Sequence, residues 1–200
     1  MEQKNEVFIW DGTSKIPKDV INVKVADDVK KIPAEAFMNC KQLKSVILPE
    51  GVTEVERYAF FGCSNLEFIQ LPNSLQRIND KAFMNCSNLK SLTIPEGVIN
   101  IDGSDPFYNC KNLKVLILPD SLRHIEQSCV MECNDLEYII YKDKNINKSL
   151  TASRNLEQAL EDGISLNLDD KIKINDYISN SEKYDFEKVQ ENQKKNTFTH

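Results

Sequence analysis

Histidine is nearly missing from this 200-residue chain: only His124 and His200 are present, and the second is the last residue. No Ser-His-Asp or Cys-His arrangement can be argued from them, since every cysteine falls within the packing register of the chain's repeats. HExxH, GxGxxG and a P-loop are also missing, so the common signatures of metalloprotease, dinucleotide and nucleotide chemistry are not there. No catalytic residue, no metal ligand and no cofactor is therefore expected. Basic charge is in deficit as well: 25 Lys and Arg against 31 Asp and Glu leave a net charge of -6. A phosphate-tracking protein needs a basic face, so no nucleic-acid partner is expected, and an anionic membrane surface is disfavoured by the same balance. No apolar run approaches the ~20 residues that span a bilayer, so membrane insertion is not expected. The opening MEQKNEVFIWDG has neither a long apolar segment nor a small-residue cleavage site. The expectation is a cytoplasmic location, with the cell surface or secretion as the alternative if that start is not native.

What the chain does have is repetition. FMNCKQLKSVILPEGV, beginning at Phe37, returns as FFGCSNLEFIQLPNSL and again as FMNCSNLKSLTIPEGV. The apolar positions recur in register. One column is Leu43, Leu66, Leu89, Leu113 and Leu136; a second is Val46, Ile69, Leu92, Leu116 and Ile139; a third is Leu48, Leu71, Ile94, Leu118 and Tyr141. Proline follows at Pro49, Pro72, Pro95 and Pro119, and an Ala-Phe pair recurs at Ala36-Phe37, Ala59-Phe60 and Ala82-Phe83. Each copy closes on a cysteine, and the period is 23 residues, as from Cys40 to Cys63, lengthened by one residue where Asp102–Pro106 is inserted. An earlier half-copy is visible as Val20, Val23, Val25, Val29 and Ile32.

A period of this length means a solenoid. One copy offers about eight apolar side chains at ~1.5–3 kcal/mol each, against ~1–2 kcal/mol per residue for ordering its backbone. A single copy cannot fold, whereas stacked copies bury both sides of each coil. Within a copy, L-x-x-V-x-L alternates with period two and predicts a short strand, which the proline ends because it has no N–H for the ladder. Strands paired copy to copy make a parallel sheet. The stretch around Ala-Phe, such as 54–62, predicts a turn of helix or a second short strand on the opposite wall.

The pattern LxxVxLPxxVxxIxxxAFxxCxx, recurring over residues 20–141 in about six coils, resembles the BspA-type leucine-rich repeat. That resemblance implies a repeat solenoid of α/β type: a right-handed superhelix with a parallel β-sheet on its concave face and short helices or turns opposite. It also implies a non-catalytic protein-binding module, with a cell-surface or secreted adhesin-like protein as the alternative. The flanks divide as an N-terminal strand cap over 1–19 and a helical C-terminal cap or tail over 142–200. Trp10 reads as the capping anchor. Lys142–Lys148 reads as a polar linker, Thr151–Gly163 as a helix, Asp169–Ser179 as a second helix, and Asp185–Lys195 as a frayed helix or a disordered stretch.

The repeated cysteines share one register. Side chains from coils ~4.8 Å apart run parallel, and a disulfide needs Cβ atoms that converge to ~3.8 Å, so disulfides are disfavoured. Cys129 and Cys133 lie near His124, but no second ligand pair completes a zinc site. The favoured reading is a small apolar filler at one packed corner of each coil. The acidic loop Asp102, Ser104, Asp105 lacks the length of a calcium loop, and the sequon at Asn147 matters only in a secreted eukaryotic chain.

Residues between the core-facing strand positions point the other way. Read coil by coil they are Asn22 and Lys24, Ser45 and Ile47, Phe68 and Gln70, Ser91 and Thr93, Val115 and Ile117, Tyr138 and Ile140. Ile47, Phe68, Gln70, Val115, Ile117, Tyr138 and Ile140 are the expected partner-binding residues, with Phe68, Ile117 and Tyr138 as anchors. The competing expectation is that C-terminal helices fold over the apolar patch in the last two coils. The partner expected is a protein, and the chain itself is expected to be a monomer.

Overall fold

The structure, a computed structural model, describes residues 6–101, 103, 105–123, 125, 127–142, 144–145, 164–165, 169 and 171–176. Within these residues the chain winds as a β-solenoid with little helix. One wall carries the strands β1 (Val7–Trp10), β2 (Asn22–Val25), β4 (Ser45–Ile47), β6 (Phe68–Gln70), β8 (Ser91–Thr93), β10 (Val115–Ile117) and β11 (Tyr138–Tyr141). The second wall carries the two-residue strands β3 (Lys31–Ile32), β5 (Glu54–Val55), β7 (Arg77–Ile78) and β9 (Asn100–Ile101). The second short strand, and not a helical turn, thus occupies the opposite wall in these coils. In the following coil a short 3-10 turn forms at Gln127–Val130.

Every coil-to-coil pairing on both walls is parallel, and the register follows the repeat: Val23 pairs with Val46, Val46 with Ile69, Leu92 with Leu116, and Leu116 with Ile139. The pairing continues through the Ala-Phe corner without a strand there. Phe37 N–H donates to the Ala59 carbonyl, Phe60 N–H to Ala82, and Phe83 N–H to Pro106, at 2.8–2.9 Å. Backbone groups that a tight corner would otherwise leave unpaired are satisfied by the next coil. The residue before each closing cysteine sits at positive φ: Asn39, Gly62, Asn85, Asn109 and Glu132. Glycine and asparagine tolerate that region best, which accounts for four of the five.

Two columns form the spine of the core. Phe37, Phe60, Phe83 and Phe107 are fully buried and stacked, with centroids 4.9, 5.3 and 6.1 Å apart. Trp10 closes the column edge-on against Phe37 at 5.0 Å, and its Nε1–H donates to the Ser14 carbonyl at 2.9 Å. Beside the rings run the thiols. Cys63, Cys86, Cys110 and Cys133 donate to the carbonyls of Phe37, Phe60, Phe83 and Phe107 in the preceding coil, at 3.0–3.3 Å. All six cysteines are buried as free thiols. The filler reading therefore omitted half of their role: each of these four also pairs a carbonyl that the corner turns inward.

The first wall is not one continuous sheet. Its hydrogen bonding runs β1-β2-β4-β6 and resumes as a separate sheet from β8. The sequence PEGV alternates with PNSL and PDSL from coil to coil, and the braces alternate with it. Glu50 accepts the backbone N–H groups of Asn73 and Ser74, and Glu96 those of Asp120 and Ser121. Asn73, at the glutamate position of the intervening coil, is the recipient of a brace rather than the source of one. Coils are thus clamped in pairs, and the break between β6 and β8 falls between two pairs. The second wall bridges it, since β3, β5, β7 and β9 form one sheet.

At the C-terminal end β12 (Lys144–Asn145) pairs antiparallel with β11, and β13 (Ile164–Ser165) antiparallel with β12. Part of the expected polar linker is therefore strand. Residues 171–176 are helical, inside the expected second helix. The helix expected over Thr151–Gly163, the segment Asp185–Lys195, His124, Asp102, Ser104 and Asn147 lie outside the described residues.

Candidate partner-binding face

The outward side of the first wall carries two columns set by strand register. One runs Asn22, Ser45 and Phe68 across β2, β4 and β6, then Ser91, Val115 and Tyr138 across β8, β10 and β11. The other runs Lys24, Ile47 and Gln70, then Thr93, Ile117 and Ile140. All seven expected partner-binding residues are on this side, in two groups of adjacent rungs, β4 with β6 and β10 with β11, separated by β8.

Their exposure is uneven. Gln70 and Thr93 are exposed; Lys24, Ile47, Phe68, Ser91 and Ile117 are half-buried. Val115, Tyr138 and Ile140 are buried, at 0%, 8% and 9%. Together with Ile174, itself 6% exposed, they form an apolar cluster separate from the main core, and Ile117 packs against its side. The expectation of an open face across all coils is corrected here for Val115, Tyr138 and Ile140. The physical reason is the one that raised the competing expectation: four apolar outward side chains on neighbouring strands make a patch that is costly to leave in water. The helix at 171–176 covers it. Asn22 and Ser45 are corrected too: both are fully buried, and the Ser45 hydroxyl donates to Asn22 Oδ1 at 2.8 Å. Ile174 is the residue the sequence reading left out of the site. Its one signal was the apolar spacing Ile172, Ile174, Tyr177, Ile178.

The titratable groups elsewhere are tied up in holding coils together. Glu54, on β5, takes Lys31 Nζ at 2.8 Å, Asn79 Nδ2 at 2.9 Å and Arg77 Nη2 at 3.2 Å. These partners, Lys31 first, then Asn79 and Arg77, hold its carboxyl down at about 2. Burial raises the Cys63 and Cys86 thiols above their ordinary value, and Cys110 is raised first by its hydrogen bond with Cys133 and then by burial. Such thiols stay protonated and unreactive. Among the described residues no group of three or more His, Cys, Asp or Glu could hold a metal ion. No helix among them is long and apolar enough to cross a membrane.

Comparison with known proteins gives the fold a family. A family model described as BspA type leucine-rich repeat region matches in six copies over residues 17–137. Among solved structures, a leucine-rich cell surface protein from Faecalibacterium prausnitzii A2-165 is similar, at 26% identity and a TM-score of 0.62, over 76% of this chain and 37% of that one. A leucine-rich repeat protein of T. pallidum is 26% identical with a TM-score of 0.58, over 66% of this chain and 62% of that one. One from Bacteroides ovatus ATCC 8483 is 31% identical with a TM-score of 0.50, over 62% and 38%. The chain spans less than two thirds of each of these structures. No curated protein matches it in sequence.

Proposed function

Since this chain belongs to the BspA-type leucine-rich repeat family, we propose that it is a non-catalytic module that binds a protein on the outward side of its first wall. The observation that carries the reading is the row of rungs left accessible beside the covered end. Half-buried Ile47 and Phe68 stand next to exposed Gln70 on the paired parallel strands β4 and β6, and exposed Thr93 follows on β8 across the break in the sheet. An aromatic side chain held by rigid neighbours, with a polar rim around it, is the usual composition of a binding hot spot. The backbone beneath is braced on two walls, so little conformational freedom is lost on docking. Phe68 is the central anchor, Ile47 lies on the neighbouring strand β4, Ile117 lies further along the wall on β10, and Gln70 supplies hydrogen bonding. Val115, Tyr138 and Ile140 contribute only when the cover over them is displaced.

The setting we favour is the cell surface, because the F. prausnitzii protein with this fold is a cell surface protein; nothing in the comparisons supports a cytoplasmic location. The test is capture from fractionated extracts and from extracellular protein, using wild type and a Phe68→Glu, Ile47→Lys double variant with an unchanged melting curve. A protein retained by wild type and lost by the variant supports the face. Equal retention by both removes the function from this wall.

A further inference from the structure

The apolar cluster at the C-terminal end of the first wall is already occupied, and the occupant indicates what fits there. Val115 and Tyr138 lie on neighbouring rungs, Ile140 lies beside them, and Ile174 seals all three. Within 171–176 only Ile174 is buried; Lys171, Ile172, Lys173, Asn175 and Asp176 are exposed, Ile172 at 52%. Among the described residues, one side chain holds this turn to the wall, and the turn's place there rests on it. The wall does not depend on the turn to the same degree. The cluster is separate from the main core, and β10 and β11 are held from the other side by Leu116 and Ile139, which belong to that core.

We propose that the 171–176 helix is a displaceable occupant of the binding face, and that the cognate partner presents a short amphipathic segment whose branched aliphatic side chain takes the place of Ile174. The proposal rests on the first wall being a protein-binding face and adds to it the chemistry of the ligand and a means of regulation. With the helix bound, the partner meets the rungs around Phe68 alone. With the helix displaced, Tyr138, Val115 and Ile140 are uncovered beside Ile117, and the apolar surface extends over the last two coils. The cluster seats one aliphatic side chain, Ile174, against an aromatic ring and two branched residues, and a partner's side chain of the same kind fits the same contacts.

The test uses the full chain and a fluorescein-labelled peptide of residues 166–179, read by anisotropy. The Ile174→Asp protein, with its own occupant released, is expected to bind the peptide on the order of 10–100-fold more tightly than wild type, the weight of one buried isoleucine. The same peptide carrying Ile174→Asp is expected to bind neither protein. Hydrogen exchange on the wild-type protein supplies the second reading, which does not depend on the variant folding. Amides of 171–176 are expected to exchange at least about 10-fold faster than those of Val115–Ile117 and Tyr138–Ile140, through local opening. Equal peptide binding by both proteins, no binding by the Ile174→Asp protein, or equal protection of helix and strands overturns the proposal. None of these readouts involves the external partner. A failure here therefore leaves the Phe68 capture experiment standing, and the reverse also holds.

Discussion

Phe83→Ala is the perturbation that the solenoid geometry resolves most sharply. Phe83 is fully buried in the middle of the ring column, with Phe60 at 5.3 Å and 3° on one side and Phe107 at 6.1 Å and 20° on the other. Truncating a buried phenylalanine removes its transfer free energy and leaves a cavity, together about 3–5 kcal/mol. Two stacked neighbours add ~0.5–1.5 kcal/mol each, so the upper half of that range is expected. In a linear array this loss falls on two interfaces at once, and the site adjoins the break between β6 and β8, where only one wall carries the sheet across. Against a total of ~5–15 kcal/mol for a domain, the array should also begin to uncouple, which appears as a lower m-value. Phe107→Ala, which loses one ring contact instead of two, should cost about 0.5–1.5 kcal/mol less. Met84→Ala, one residue along and half-buried, is the control and should cost under ~1 kcal/mol. Urea unfolding followed by circular dichroism measures all three. A Phe83→Ala loss below ~2 kcal/mol, or equal to that of Met84→Ala, would refute the column as the spine of the fold.

Three further outcomes follow from the coil-to-coil contacts. Glu54→Gln should destabilise by ~1–2 kcal/mol at neutral pH, a modest figure because Lys31 and Arg77 are 53% and 57% exposed and screened. The carboxyl is depressed to about 2, so its contribution is complete above the ordinary carboxylate range and is lost as pH falls from there towards 2. The gap between wild-type and variant melting temperatures should be flat above pH ~5 and close below it; a gap that widens in acid would contradict the network. Gly97→Ala places a Cβ 2.4 Å from the Leu75 carbonyl oxygen and 3.0 Å from that of Asn73. Rigid backbone must shift, and the melting curve should show a loss of ~1–3 kcal/mol, where an unstrained alanine would have been neutral or stabilising. Finally, a thiol-reactive dye at pH 8 should label none of Cys63, Cys86 and Cys110 in the native protein and all three in denaturant; rapid native labelling would show that these corners open.

Much of the fold could be read from single coils. Leu43, Val46, Leu48, Val52, Val55 and Phe37 recur with such regularity that their burial follows from the period alone, and all are buried. Trp10 could be placed as the cap on the first coil because Val7–Trp10 followed by Asp11-Gly12 has the look of a strand and a turn. The brace from Glu50 was harder to see. PEGV and PNSL look like variants of one turn until the glutamate is found reaching the next coil's amides. Strand alternation puts Ser45 on the outward side but cannot say what packs above it, and Ser45 is fully buried.

The sequence by itself determined the coil: its length, which residues face inward, the rings and thiols at the corner, and which strand residues face outward. These are local, repeated patterns, and stacking identical units leaves one register that buries all of them. Only the tertiary structure decided how much of the outward side is open. That depends on Ile174 returning from outside the repeats to cover Val115, Tyr138 and Ile140. No periodicity encodes such a contact, because it occurs once and joins residues whose separation in the chain has nothing to do with the repeat.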